Sequence, residues 1–244
     1  MAAFISLLQY LGNNGPLAIF LGAWLFFALL YFGSAVLSLF FTRYIFPHFH
    51  FGHVIDNRPL KPNQVRFEIL HSLSSITIFA GYGVLMYFLH RKGEISLVWE
   101  ASPSTWLPEI FVLFLWNELH FYLCHRLLHT PWLLRHIHRI HHHSIVPTPF
   151  STFSFHWAEA TLLGSVMVLA MLAHHFSIHA LLALPLMSIV GNSIGHSNYS
   201  FTRGRMTASG EHSLHHRRAS GNFGFLLSWF DRLSSTRLDS QQEG

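Results

Sequence analysis

The chain is poor in cysteine, and Cys124 is the only one. An internal disulfide is therefore excluded, as is a metal site built on several thiolates. Charge is scarce as well. Only 11% of the 244 residues are charged, where a soluble domain carries about 25%. The net charge of +4 forms no basic stripe, so no nucleic-acid partner is expected. There is no HExxH motif, which leaves a zinc metalloprotease without support. There is no internal repeat, low-complexity tract or long Gly/Ser linker, and residues 1–244 read as one domain.

What fills the chain is apolar. Hydrophobic residues make up 51% and the mean hydropathy is +0.35, a surplus that calls for a bilayer as solvent. The first charged residue is Arg43, so residues 17–42 are long enough to span about 30 Å of hydrocarbon. No basic segment precedes them, which favours a span over a signal peptide. Further apolar stretches cover 69–89 and 106–124, the latter opened by Pro103 and Pro108. Residues 158–195 are apolar except for His174, His175 and His179. They predict a hairpin of two spans, 158–175 and 178–195, turning near Phe176, with a re-entrant pair as the alternative. The expected fold is thus all-α: an integral membrane bundle of four to five spans, with a cytosolic cap over 197–244.

Positive charge orients the bundle. Arg43, Arg58, Lys61 and Arg66 follow the first span; Arg126, Arg135 and Arg139 follow the third. Arg203, Arg205, Arg217, Arg218, Arg232 and Arg237 follow the last, while Arg91 and Lys92 fall on the other side. Five crossings with the N-terminus outside put every basic cluster in the cytoplasm, together with both His-rich segments, 120–156 and 196–216.

Histidine is the abundant polar residue, with 21 copies. His125 and His129 are four apart, on one face of a helix. His138, His141 and His142 follow the i, i+3, i+4 pattern, which predicts one helical face carrying three nitrogens; His212, His215 and His216 repeat it. Eight imidazoles exceed the four to six ligands of one first-row ion, and a structural zinc site closes with four. The array fits two redox metals with positions left open, against the plainer reading of a solvated histidine tract. His196 ends the last span and is a ninth ligand or a helix-end histidine. Asn192, one turn earlier, coordinates or orients through its amide; His156 is a ligand or a support. Glu118 and Tyr122 share a helix with His125, and a carboxylate there predicts an acceptor for a ligand histidine's free N–H. His48, His50, His53, His71, His90, His136, His143, His174, His175 and His179 have no such pattern.

At these residues the chain resembles the fatty acid hydroxylase/sterol desaturase superfamily, over about residues 116–236. Glu118, Tyr122 and His125-Arg126-Leu127-Leu128-His129 match its acid, tyrosine and HRxxH. His138 to His142 and His212 to His216 match its HxxHH motifs, and Asn222-Phe223-Gly224 and Asp231-Arg232 match the pattern that closes it. Pro147-Thr148-Pro149-Phe150 is similar to the stretch after the first HxxHH in C-5 sterol desaturases. Trp157 stands where the family often has proline, Ser235-Thr236 where it often has Gly-Thr, and Asn192 where some members have histidine. The resemblance implies two iron ions and O2 as co-substrate, with Asp231 as a further supporting residue. It implies hydroxylation or desaturation of a lipid C–H bond, the sequence not choosing between them. No His-Pro-Gly-Gly haem motif is present, so a cytochrome b5-like or ferredoxin-like donor is expected. The setting would be a bacterial inner membrane or the endoplasmic reticulum, with the site on the cytoplasmic face. A metal transporter is the competing class, but its ligands should lie near the membrane midplane. The particular lipid and the oligomeric state are open at this point.

Overall fold

The computed structural model describes residues 2–202 and 207–238. Arg203 and Arg205, counted above among the cytoplasmic charges, lie outside these described residues.

Backbone in hydrocarbon has to satisfy its own N–H and C=O groups, so the apolar runs become helices. Helix α1 (Ala2–Asn13) precedes α2 (Pro16–Phe40). The sequence reading starts at Leu17 and passes over α1, whose 12 residues are too few to span. Pro16 opens α2, where a missing N–H is harmless. The helix continues through a π-helical turn at Phe41–Ile45 into α3 (Phe46–His48). Helices α4 (Gln64–Arg91) and α5 (Pro103–Leu128) enclose the stretches expected at 69–89 and 106–124. After α6 (Pro131–His136) come two 3-10 turns, His138–His143 and Pro149–Phe153. Helices α7 (Trp157–Ala173) and α8 (Ile178–Gly195) fall on the expected stretches 158–175 and 178–195, with Phe176 in the connection between them, and both pack on α5. The chain closes with α9 (Ala208–Arg218) and α10 (Trp229–Leu233). Two short strands, β1 (His53–Val54) and β2 (Tyr199–Ser200), pair antiparallel with His53 opposite Ser200.

Among the described residues three helical stretches are long and apolar enough to cross a membrane: Pro16–His48, Gln64–Arg91 and Ile178–Gly195. The expected count of four to five depends on the other two. Helix α7 is shorter, at 17 residues. Helix α5 has the length but buries Glu109, Asn117, Glu118, His120 and His125, so its inner face serves the protein rather than the lipid.

Packing follows membrane rules, in which small residues bring backbones together. Helix α2 packs on α4, α4 on α7, and α5 on both α7 and α8. A Cβ on Gly164 would come 2.7 Å from the Tyr82 ring, and one on Gly83 would come 3.3 Å from Ala23. On α2, Leu21, Leu25 and Leu29 stack along an exposed stripe while Ala28, Tyr31 and Ala35 are buried. That partition places the large apolar side chains toward lipid.

The two ends of the bundle differ. At one, Glu109 accepts the Ser177 N–H at 2.9 Å and also the Ser177 hydroxyl, beside a core of Ile95, Leu113, Met171 and Phe176. At the other end lie the histidines. There the fully buried Glu68 accepts from Gln64 (2.8 Å), Ser144 (2.7 Å) and Thr148 (2.5 Å). The Tyr31 hydroxyl donates to the Phe150 carbonyl at 2.8 Å. These bonds fasten the segment after the first HxxHH to α2 and α4. Lys61 donates to the His143 carbonyl at 2.8 Å, so this basic side chain sits at the histidine end.

Candidate metal centre

Four pieces of chain converge here. The end of α5 brings His125 and His129, the 3-10 turn brings His138, His141 and His142, the C-cap of α8 brings His196, and α9 brings His212, His215 and His216. They form two groups: His125, His129, His138, His142 and His215; and His141, His196, His212 and His216. Within each group the nitrogens lie within 4.8 Å of one another. These are the nine residues singled out by spacing and by the helix-end position of His196. The histidines without a pattern belong to neither group.

One expectation is corrected. Neither HxxHH triplet presents a single face to a single group. His138 and His142 enter the first group and His141 the second; His215 enters the first, His212 and His216 the second. The reason is local geometry. The first triplet is 3-10 and not α, so His138 and His141 point the same way one turn apart, their near-parallel rings 5.3 Å apart, and each reaches a different group. In the α-helical second triplet, i+3 and i+4 fall on opposite sides of i. Each motif therefore bridges both groups.

Hydrogen bonds fix which nitrogen faces inward. The Nδ1 atoms of His125, His129 and His215 donate to the carbonyls of Phe223 (2.9 Å), Ala219 (3.0 Å) and Gly221 (2.6 Å). The Nδ1 of His138 donates to Glu159 Oε1 at 2.8 Å, and that of His196 to the Asn192 carbonyl at 2.9 Å. In each neutral ring the proton is on Nδ1, so Nε2 offers a lone pair. The Nε2 atoms of His125, His138 and His215 are buried with no protein partner. Others face imidazoles: His129 to His142 at 3.3 Å, His196 to His141 at 3.4 Å, His212 to His196 at 3.0 Å and to His216 at 3.1 Å. Zinc–imidazole bonds of about 2.0–2.1 Å at right-angled to tetrahedral openings would separate nitrogens by roughly 2.8–3.4 Å. Converging lone pairs at that spacing fit a metal ion in each group.

Electrostatics agree with this fit. Burial lowers the His129 pKa to about 4 and, with the neighbouring His129 charge, that of His142 to about 3. Burial also holds His138, His141, His212, His215 and His216 well below the usual histidine value, with neighbouring imidazoles adding to the effect. Neutral imidazole is the ligating form.

The supporting residues differ from the sequence reading in detail. Glu118 does not meet a histidine; it accepts the Leu226 N–H (3.2 Å) and Leu227 N–H (3.0 Å), binding the C-terminal cap to α5. Tyr122 stacks on Phe230 and receives Arg126 at 3.3 Å. His156 caps α7, accepting the Ala158 N–H at 3.1 Å. The Asn192 amide donates to the Ser188 carbonyl at 3.0 Å, and its backbone carbonyl orients His196. Asp231 accepts from Phe223 N–H (2.9 Å), Gly224 N–H (2.7 Å) and Thr236 (2.7 Å), so it registers the loop whose carbonyls hold three histidines. Among the described residues the carboxylate that touches a histidine of the two groups is Glu159, to which histidine spacing assigns no role. An acid in the first turn of an apolar helix was its available signal.

Gly221 is tied to this loop by space. A Cβ there would meet the Thr236 carbonyl oxygen at 2.4 Å and Leu238 at 2.8 Å. Gly221→Ala should shift the carbonyl that holds His215. A drop of about 10-fold or more in metal affinity is expected, measured as metal retained per chain after dialysis against a weak chelator.

Between the two groups lies a small cavity, walled by Phe121, Leu128, Phe155 and Leu163 and by five of the histidines. Its volume of about 10 Å³ is close to that of one water molecule.

Comparison with known proteins covers the same residues. The profile of the fatty acid hydroxylase family matches residues 110–236. A Delta(7)-sterol 5(6)-desaturase of Gibberella zeae is 29% identical over 227 residues, covering 90% of this chain and 62% of the relative. One from Candida dubliniensis is 30% identical over 232 residues, covering 90% and 57%. Lathosterol oxidase of Rattus norvegicus is 27% identical over 225 residues, covering 85% and 70%. The chain thus spans about three fifths of the length of the two fungal relatives. No solved structure matches it.

Proposed function

Because this chain belongs to the fatty acid hydroxylase family, we propose that it is a membrane oxidoreductase that holds two iron ions in its nine clustered histidines. It uses O2 to oxidise a C–H bond of a lipid. The observation that carries this reading is the pair of imidazole groups whose lone pairs converge at metal-binding spacing. Bound there, iron would supply the redox chemistry that activates O2 toward an unactivated C–H bond.

The protein's own part is positional. The loop carbonyls and Glu159 fix the tautomer and the ring plane of the histidines they hold. Phe121, Leu128, Phe155 and Leu163 keep the space between the groups apolar, which excludes bulk water and suits a hydrocarbon substrate. Since the cavity is water-sized, lipid entry requires the surrounding helices to part. The bilayer would deliver the lipid sideways through the apolar walls. His129 and His142 are only partly buried, which gives the site a water-facing side. On that side an external donor, cytochrome b5-like or ferredoxin-like, would supply electrons. The charge pattern makes it the cytoplasmic face of an inner membrane or endoplasmic reticulum. Residues 1–244 act as one domain in this reading.

The relatives are named for sterol desaturation and lathosterol oxidation, which favours a sterol-like lipid; a fatty acyl chain is the second substrate class. Lipid profiling of cells with the protein, without it and with His212→Ala tests the reading. One lipid class should gain an oxygen or lose two hydrogens with the wild type only, and the variant should lose at least about 100-fold of that product. An unchanged lipid profile, or full product from the variant, would refute it.

A further inference from the structure

The two histidine groups are not supported alike. In the five-histidine group four imidazoles have a protein acceptor on Nδ1: the carbonyls of Phe223, Ala219 and Gly221, and Glu159. The three carbonyls alternate along one loop, at positions 219, 221 and 223. That loop is itself pinned. Asp231 accepts the N–H groups of Phe223 and Gly224, Asn222 N–H donates to the Thr236 carbonyl at 3.0 Å, and Asn222 Oδ1 accepts Leu238 N–H at 2.8 Å. Ala219 and Asn222 take the left-handed conformation, with φ of 52° and 55°. A non-glycine backbone holds that conformation where its surroundings impose it.

The four-histidine group lacks this frame. Among the described residues only His196 has an Nδ1 acceptor there, the Asn192 carbonyl. The Nδ1 atoms of His141 and His216 are buried with no protein partner. Among the described residues no carboxylate is hydrogen-bonded to that group, whereas Glu159 brings a buried acid to the other. An imidazole already oriented loses less freedom when an ion arrives, and an acceptor on its far nitrogen makes it a stronger ligand.

We infer that the two groups fill in order, the five-histidine group taking the first ion and the four-histidine group the second. Glu159 and Asp231 are positioning residues for the first ion alone. This inference rests on the proposed metal centre and adds to it an inequality between its halves.

The test is an anaerobic titration of the metal-free full chain in detergent with Co(II), read by calorimetry and by cobalt absorption. The wild type should bind in two steps, the first at least about 10-fold tighter. His196→Ala should remove the second step and leave the first. Glu159→Leu and Asp231→Ala should weaken the first step by about 10–100-fold and leave the second near its wild-type value. Glu159→Gln keeps an acceptor oxygen and should recover most of the loss. The second step and the cobalt spectrum serve as internal checks on folding, since a misfolded variant would lose both steps. Two ions of equal affinity, or an equal weakening of both steps by Glu159→Leu, would overturn the inference while leaving the metal centre standing. A wild-type chain that bound no cobalt would overturn both.

Discussion

Stripping metal from the detergent-solubilised protein with a chelator should lower its thermal unfolding midpoint by more than about 10 °C and abolish lipid oxidation. The nine imidazoles come from α5, the 3-10 turn, the end of α8 and α9, so each ion ties together segments far apart in the chain. Without the ions, buried nitrogens face one another with no partner between them. An ion present at about 1,000 times its dissociation constant adds about 4 kcal/mol to the folded state. In a chain of this size 1 kcal/mol moves the midpoint by about 2–4 °C. The first ion alone then accounts for roughly 10 °C, and the second adds to it. Returning ferrous iron should restore both stability and oxidation. Returning zinc, which fits imidazole but has no redox chemistry, should restore stability only. The measurement is a thermal melt paired with a product assay. An unshifted midpoint would mean that the histidines pack without an ion.

His142→Ala should cost at least about 100-fold in lipid oxidation and one bound ion, while His143→Ala should keep activity within about 3-fold. The two residues are adjacent in a run of three histidines, so composition and exposure to the same solvent do not separate them. Geometry does. His142 Nε2 faces His129 at 3.3 Å within the five-histidine group. The His143 ring instead packs at a tilt on Phe67, with centroids 4.3 Å apart, and its backbone carbonyl receives Lys61. Product formation and metal content of the two purified variants check this. Equal losses at both positions would point to a general disturbance of the 3-10 turn in place of a lost ligand.

Which of these features could be read from residues alone follows from their range. The long apolar runs mark α2, α4, α7 and α8 because hydrocarbon demands continuous helix; α4 extends past both ends of its expected segment, α8 coincides with its own, and α2 and α7 end slightly early, at Phe40 and Ala173. The candidate ligand set is legible because i, i+3 and i+4 spacing is itself a local constraint. The partition of each HxxHH between two groups is not legible, since it depends on which distant histidines meet the triplet and, at His138–His143, on a 3-10 geometry that histidine spacing does not encode. The supporting groups were harder still. Glu118 looked like the histidine's carboxylate because it shares a helix with His125, yet its oxygens meet the N–H groups of Leu226 and Leu227, more than a hundred residues away in sequence. Glu159 takes that role for His138 across 21 residues. The acceptors at Ala219, Gly221 and Phe223 are backbone carbonyls, which no side-chain pattern can announce.

The most direct test of the central claim is metal content measured together with oxygen dependence on one purified, active preparation. The account predicts two iron ions per chain and lipid oxidation that stops when O2 is removed. A preparation that oxidises its lipid while holding no iron, or that continues without O2, would contradict it.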